Sequence, residues 1–312
     1  MEAYLEKQYG KELIAVITMQ ADGIGSTMGG AIAEYFDNLQ DFLKAEPNEF
    51  KKIARKGGKQ ALKDDVIQRV VAVKAGVVLG KSVSETWVFV LTKTFLRDQI
   101  DMLNSMDFDS VDINPFLIKA LDLKTARDII LFNMYQWVTR SVVTSWGMLV
   151  EKLVKYSGCE SEKPKIAGKG VQPDLKKIIG KKTYYLQIKS GPNTMNVGMV
   201  ESLNEVIKTL EKKGHIGLLG MTYGKRSHIS NQISGNLNGF EEKTKIGREL
   251  WDFISGSKNY HRKVIEAIDS ATSHLLEESF VALIDKKVDE FVKCWEIKFK
   301  GKTAIEILEE YL

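Results

Sequence analysis

The sequence of 312 residues is 44% hydrophobic and 28% charged, and 45 basic against 41 acidic residues leave a formal charge of +4. This composition is typical of a folded protein and excludes a disordered or fibrous chain, but the charge is too small to indicate a partner. Two cysteines cannot form a disulfide framework, the N-terminal residues lack an export signal, and no apolar run approaches the ~18 residues that cross a membrane. We therefore expect a cytoplasmic protein that is neither exported nor embedded in a membrane.

The first half of the chain is predicted to be mainly helical. Residues 13–19 read as a strand, and apolar residues at helical spacing then predominate from Ala31 to about Lys155. Residues 85–92 stay ambiguous, because their β-branched and aromatic content suits a buried strand as well as a helix.

A glycine-rich stretch at residues 23–30 follows the predicted strand, which is the setting of a nucleotide-binding loop. A dinucleotide fingerprint that begins at Gly23 requires glycine where Met28 stands, and a P-loop over residues 25–30 requires lysine where Ala31 stands. We therefore expect no nucleotide cofactor, and interpret the stretch as a flexible loop or a closely packed helix start.

An acidic break interrupts the helical pattern at Asp107, Asp109 and Asp112. It lacks the glycine and the distal glutamate of a calcium-binding loop, so we expect these side chains to cap helices. Further helices are predicted over residues 116–123 and 125–156, the last ending at Gly158.

After Gly158 the pattern changes to that of strands. Residues 175–179 and 183–189 predict a hairpin joined at residues 180–182. The elements predicted after it are an amphipathic helix, a buried strand and two helical regions, at residues 199–213, 214–223, 247–254 and 260–312. This order predicts a mixed α/β core with helical regions before and after it.

The hairpin carries the residues most suggestive of chemistry. Side chains two apart on a strand share a face, so Gln187 and Lys189 are expected to point the same way. If the strands pair through the turn at Gly180, Asp174 lies near the end of the second strand. A carboxylate, an amide oxygen and an ammonium group would then converge at one end of the hairpin.

These groups suit metal-assisted hydrolysis of a phosphodiester. Mg²⁺ prefers oxygen ligands, which Asp174, the Ile188 carbonyl and the Gln187 side chain could supply, and Glu151 on the preceding helix could reach the same site. The metal would activate water and neutralise phosphate charge, while Lys189 would hold that water or stabilise the transition state. The alternative is that Asp174 lies in a turn and Lys189 on a solvated edge, since this short pattern also recurs by chance.

The charge distribution favours a polyanionic partner near these residues. Residues 151–189 contain ten lysines and four acidic residues, a net charge of +6, so the rest of the chain carries −2. Lysines concentrated beside a predicted phosphate site are expected for a nucleic-acid-binding protein.

Pro173-Asp174 together with Gln187-Ile188-Lys189 resembles the PD-(D/E)XK nuclease motif. The residues that follow, up to Asn196, are similar to the turn after that motif in type II restriction endonucleases. Three further segments, residues 113–116, 223–228 and 246–256, are similar to those of the group that cuts interrupted palindromes with a GGNCC core. One departure is Gln187, which stands where the family usually has an acidic residue and leaves Glu151 a larger share of the metal ligation.

The resemblance implies an α/β fold with a PD-(D/E)XK restriction-endonuclease-like core, a mixed central sheet flanked by helices, and extensive additional helical regions. The expected regions are a mainly helical one for dimerisation and DNA embrace, the catalytic core, and a C-terminal helical one, at residues 1–140, 141–258 and 259–312. It also implies a homodimer that cuts both strands of duplex DNA with Mg²⁺, and a cognate DNA methyltransferase in the same system to protect the host chromosome.

Three segments are candidates for DNA contacts. Asn193, Thr194 and Asn196 follow the catalytic strand and carry groups that can bond phosphates or bases, although Gly-Pro-Asn is also a turn signal. The other candidates follow the buried strand or begin a helix, namely Lys225, Arg226, His228 and Arg248. Of these, Arg226 is the expected guanine reader, and Arg248 is expected at a phosphate or in an ion pair.

The sequence therefore predicts a type II site-specific deoxyribonuclease. Two alternatives stay open: a repair or structure-specific nuclease that shares the core, and a DNA-binding module that has lost activity through Gln187.

Overall fold

The computed structural model describes residues 2–53, 62–78, 80–160 and 172–312. The chain divides into two compact units, one of Met1–Thr92 with Gly147–Ala271 and the other of Lys93–Trp146 with Thr272–Leu312. The three regions predicted from the sequence stay a prediction, since compactness does not show which segments bind DNA or a second copy. Three of the lysines counted near the candidate site, Lys163, Lys165 and Lys169, lie outside the described residues.

A mixed sheet lies at the centre of the first unit. Its strands, in spatial order, are β1 (Leu175–Ile179), β2 (Lys182–Lys189), β3 (Ile216–Met221) and β4 (Thr244–Ile246). β1 and β2 are antiparallel, whereas β2, β3 and β4 run parallel. The predicted hairpin is confirmed, and Gly180 takes a φ of 60° in its turn, a conformation that glycine adopts without steric cost.

The two faces of the sheet pack against different helices. Tyr185 packs with Val206 and Leu210 of α10 (Val197–Lys212), so Gln187 and Lys189, two and four residues on, belong to the same face. Ile188 belongs to the opposite face, where it lies beside Leu250 of α13 (Arg248–Ser255). This mixed sheet with helices around it is the predicted α/β, restriction-endonuclease-like fold.

Other helices complete the first unit. They are α1 (Glu2–Leu5), α2 (Lys11–Met19), α3 (Ser26–Tyr35), α4 (Leu39–Lys44), α5 (Pro47–Phe50), α6 (Asp64–Ala75), α11 (Asn231–Ser234) and α12 (Phe240–Lys243). Helices α7 (Val83–Asn104), α9 (Ala126–Tyr156) and α14 (Tyr260–Leu275) each contribute to both units. A core that includes Ile17, Phe42 and Trp87 holds the N-terminal helices together.

Two expectations for the N-terminal part are resolved by these helices. The strand predicted for residues 13–19 was wrong, because Leu13, Ile14 and Ile17 are buried on one side of α2 and an apolar run of this length has no unique period. The ambiguous residues 85–92 are helical, within α7.

The second unit is helical throughout its described elements. In addition to its parts of α7, α9 and α14, it contains α8 (Pro115–Ala120), α15 (Phe280–Lys298) and α16 (Ala304–Glu309). Leu103, Met134 and Phe291 lie in its core. The Asp107 carboxylate accepts a hydrogen bond from the Asp109 amide at 3.2 Å, which confirms the capping role for Asp107. Asp109 instead pairs with Lys298 at 2.5 Å.

None of the helices in the described residues combines the length and apolar character that a membrane crossing requires.

Candidate active site

Asp174 stands immediately before β1 and extends its pairing with β2. The Asp174 amide donates to the Leu186 carbonyl at 2.8 Å, and the antiparallel register then places Asp174 opposite Gln187. Asp174 Oδ2 accepts from Gln187 Nε2 and from the Ile188 amide, both at 2.6 Å. The hairpin thus brings together the three residues that the sequence predicted as metal ligands on it.

Gln187 contributes a buried acceptor to this group. The residue is only 5% exposed, and its Oε1 has no hydrogen-bond partner among the described residues. A buried acceptor without a partner typically costs about 1–3 kcal/mol of desolvation, so such an atom in a native fold indicates a missing ligand or a stored strain.

The Ile188 carbonyl faces the same side of β2 as the Asp174 carboxylate. In a strand, the amide and carbonyl of one residue point to the same neighbour, and the Ile188 amide points at Asp174. The Lys189 carbonyl points the other way, toward β3, where it accepts from the Thr222 amide at 3.1 Å.

These oxygens fit a hard divalent cation. A carboxylate, an amide oxygen without a partner and a backbone carbonyl are the kinds of ligand that Mg²⁺ takes, with water completing its shell. Within the described ranges, no group of three or more His, Cys, Asp and Glu side chains is arranged to hold a metal. A cation at this site would therefore depend on the neutral oxygens of Gln187 and Ile188 as well as on Asp174.

The other two predicted catalytic residues, Lys189 and Glu151, do not take part in these hydrogen bonds. Lys189 ends β2, is half-buried and forms no ion pair with any described residue. Glu151 is exposed on α9, and no described hydrogen bond joins it to Asp174, Gln187 or Lys189. The hydrogen-bonded group thus consists of Asp174, Gln187 and Ile188, with Lys189 directly after it.

The loops after the three parallel strands meet at this edge of the sheet. Thr222, directly after β3, donates from its amide to the Lys189 carbonyl and from its hydroxyl to the Ser190 carbonyl at 2.9 Å. The Gly247 amide, directly after β4, donates to the Met221 carbonyl at 2.8 Å. The loops that carry the predicted DNA contacts therefore begin at the same edge as the candidate site.

Two polar side chains of the turn after β2 form hydrogen bonds within the protein. The Thr194 hydroxyl donates to the Gly191 carbonyl at 2.8 Å, and Asn196 Oδ1 accepts from the Met199 amide at 3.0 Å, capping α10. Asn193 is exposed on the same turn. Thr194 and Asn196 thus have structural roles as the turn alternative predicted, while Asn193 presents its amide to solvent.

The three predicted DNA-contacting residues of the loop after β3 have different surroundings. Lys225 and His228 are exposed, but the Arg226 guanidinium pairs with Glu241 at 3.0 Å and Glu249 at 3.1 Å. It also donates to the Thr244 carbonyl at 3.0 Å. The expected guanine reader is therefore engaged within the protein in this structure.

Arg248 is the exposed first residue of α13. Two further residues at the same edge, Thr222 and Tyr223, were not predicted as site residues. The sequence placed both within a buried strand, which in the structure ends at Met221, and Tyr223 begins one of the segments similar to restriction endonucleases.

The family model described as Type II restriction endonuclease EcoO109I matches residues 84–274. This span is more than half of the chain and includes the sheet and every candidate residue from Glu151 to Arg248. No curated protein matches the sequence.

Proposed function

The chain belongs to the EcoO109I family of type II restriction endonucleases, and we propose that it cuts both strands of duplex DNA at a specific sequence by Mg²⁺-assisted phosphodiester hydrolysis. The observation that carries the proposal is the hydrogen-bonded group of Asp174, Gln187 and Ile188, with its unpartnered amide oxygen, next to Lys189. Binding of duplex DNA follows from membership of the family, whereas the residues that cleave it are part of the proposal.

The proposed Mg²⁺ ligands are the Asp174 carboxylate, Gln187 Oε1 and the Ile188 carbonyl, with Glu151 as a further carboxylate. When bound, the cation lowers the pKa of a ligated water and neutralises charge on the phosphate. The Gln187 and Ile188 hydrogen bonds hold the Asp174 carboxylate in place before the substrate arrives. Because Gln187 adds no charge, Glu151 would compensate for the acidic residue usual at that position.

Lys189 is the proposed cation for the reacting phosphate. Its half-buried position on the last residue of β2 limits the screening of its charge by water. A fixed ammonium there would orient the attacking water or stabilise the extra negative charge of the pentavalent transition state.

The proposed DNA contacts are the exposed groups at the same edge: Asn193, Thr194, Asn196, Lys225, His228 and Arg248. Arg226 reaches a guanine only if it exchanges an ion pair with Glu241 or Glu249 for that contact. A substrate with a GGNCC-like core, a homodimer, a cytoplasmic location and a companion methyltransferase complete the proposal.

The test is digestion of unmethylated plasmid DNA with excess Mg²⁺. We expect discrete fragments from the wild type and none from Asp174→Ala, which should still bind duplex DNA. Asp101→Ala, an exposed carboxylate on α7, is the matched control and should cut normally. Cleavage by Asp174→Ala would overturn the assignment.

The same assay distinguishes the two alternative functions. Cleavage confined to branched or damaged DNA would indicate a repair nuclease. Binding without cleavage of any substrate would indicate a DNA-binding module.

A further inference from the structure

Tyr223 is an aromatic side chain that the fold leaves outside its core. It is 57% exposed, although it follows a buried strand and the largely buried Thr222. An exposed tyrosine alone needs no explanation, but the position of this one relative to the candidate site is specific.

The hydroxyl end of Tyr223 lies directly on the backbone of Gly191, two residues after Lys189. A Cβ added at Gly191 would stand 2.4 Å from both Cζ and Oη of Tyr223, and its three nearest heavy atoms all belong to this ring. Gly191 is not among the glycines with positive φ. Space for Tyr223, rather than an unusual backbone conformation, therefore explains the glycine.

The backbone that carries Tyr223 is fixed to the catalytic strand. Thr222 donates to the carbonyls of Lys189 and Ser190, and its own carbonyl accepts from the buried Trp251 Nε1 at 2.9 Å. These three bonds hold the end of β3 against the end of β2. The tyrosine is thus positioned before any substrate binds, which reduces the entropy lost on binding.

We propose that Tyr223 Oη donates a hydrogen bond to a non-bridging phosphate oxygen of the DNA strand bound at the Asp174–Lys189 edge. This inference rests on the proposed function and adds a substrate-positioning residue to it. A phosphate is the partner because the hydroxyl lies against Gly191, two residues after the Lys189 assigned to the reacting phosphate, and tyrosine is a common phosphate donor in DNA complexes. The contact carries no sequence information.

The first test is Tyr223→Phe, which removes only the hydroxyl. Binding is measured without Mg²⁺, on a duplex with the site mapped from the plasmid fragments and on a scrambled duplex. We expect both dissociation constants to rise roughly tenfold, because a hydrogen bond to a charged group is lost. The salt dependence should stay unchanged, whereas Lys225→Ala should reduce its slope by about one ion.

Kinetics and folding add two measurements to this test. KM should rise more than kcat falls, since the contact is made before the reaction. The melting temperature should not change. Tyr35→Phe, at a similarly exposed tyrosine ending α3, is the control and should bind and cut as the wild type does.

The second test is Gly191→Ala, which forces the tyrosine ring to move. We expect the same loss of affinity as in Tyr223→Phe, and no further loss when Gly191→Ala is added to Tyr223→Ala. Additive losses in that double variant would overturn the explanation of Gly191.

If the wild type cuts DNA and Tyr223→Phe has unchanged DNA affinity and KM, this inference is overturned and the proposed function stays intact. Failure of the wild type to cut, or cutting by Asp174→Ala, would instead overturn the proposed function.

Discussion

Two polar clusters of the first unit include residues in or immediately before β1, and they differ in how completely their polar atoms are paired. At the start of the strand, the candidate site leaves Gln187 Oε1 buried without a partner among the described residues. Along the strand, the second cluster comprises Tyr4, Tyr9, Cys159, Glu160, Lys176 and Lys177, which we call the Cys159 cluster.

The Cys159 cluster pairs its groups within the protein. Tyr4 donates to Glu160 at 2.6 Å, and Tyr9 donates to the Cys159 carbonyl at 2.7 Å. Lys177 Nζ donates to the Gly158 carbonyl at 2.9 Å. A ligand would have to displace these bonds, so we interpret the cluster as structural.

Several groups of the Cys159 cluster have perturbed pKa values, as do buried groups elsewhere in the protein such as Tyr260. Burial raises the pKa of the Cys159 thiol to about 12 and lowers the pKa of the Lys177 ammonium. Perturbed titration is often a sign of an active site, but here it reports burial. The candidate site differs from the Cys159 cluster in the unpartnered acceptor of Gln187, and the predictions below test that difference.

The largest effect is expected at the candidate site, from Lys189→Ala. The variant lacks the fixed positive charge that would stabilise the negative charge developing on the phosphate. Its kcat should therefore fall roughly 10²–10³-fold, as for the loss of an oxyanion-hole donor. The measurement is single-turnover cleavage of a duplex that contains the mapped site.

Lys208→Ala, at an exposed lysine on α10, is the control for Lys189→Ala and should retain the wild-type rate. Equal rates for the two variants would show that Lys189 lies on a solvated edge, the alternative that the sequence left open.

A smaller effect is expected from Gln187→Glu, which places a second carboxylate against Asp174. Without Mg²⁺ the variant should lose about 1–2 kcal/mol of unfolding free energy, because a hydrogen bond is replaced by charge repulsion. With excess Mg²⁺ the melting temperature should rise by more than that of the wild type. Calorimetry with and without the cation measures both effects.

Gln136→Glu, at an exposed glutamine of α9, should show neither change. If Mg²⁺ stabilised Gln187→Glu no more than the wild type, Gln187 would not be a ligand.

The hairpin and the meeting of its polar residues could be predicted from the sequence because both are local. A glycine turn sets the register, and a period of two assigns Gln187 and Lys189 to one face. Asp174 then meets Gln187, thirteen positions later in the chain, within a single supersecondary unit.

Contacts between distant segments could not be predicted in the same way. Arg226 looks like a free loop residue until Glu241 and Glu249, 15 and 23 residues later, are brought beside it through β4 and α13. The strand prediction for residues 13–19 was wrong for a related reason. Only packing against distant helices distinguishes a buried helix from a buried strand in an apolar run of this length.

A still smaller effect is expected from Tyr9→Phe in the Cys159 cluster. The change leaves the buried Cys159 carbonyl without its donor and should cost about 1 kcal/mol of unfolding free energy, measured by urea denaturation. Cleavage of DNA should be unchanged once the protein is folded. A large loss of activity at wild-type stability would contradict the structural interpretation of this cluster.

The smallest effect at neutral pH concerns the thiol of Cys159, which is fully buried, whereas Cys294 is partly exposed. Thiolate is the reactive form, so a disulfide reagent near pH 8 should label Cys294 first and reach Cys159 only on unfolding. Because folding raises the pKa of Cys159 to about 12, above the roughly 8.5 of an unfolded thiol, the unfolded state ionises first as pH rises.

The wild type should therefore lose stability relative to Cys159→Ala between about pH 9 and pH 12, by about 1.4 kcal/mol per pH unit, and show no such relative change below pH 8. Cys294→Ala serves as the labelling control, because it removes the partly exposed thiol and leaves that of Cys159. Labelling of both thiols at one rate in the folded protein would contradict the closed packing of the Cys159 cluster and remove the contrast with the candidate site.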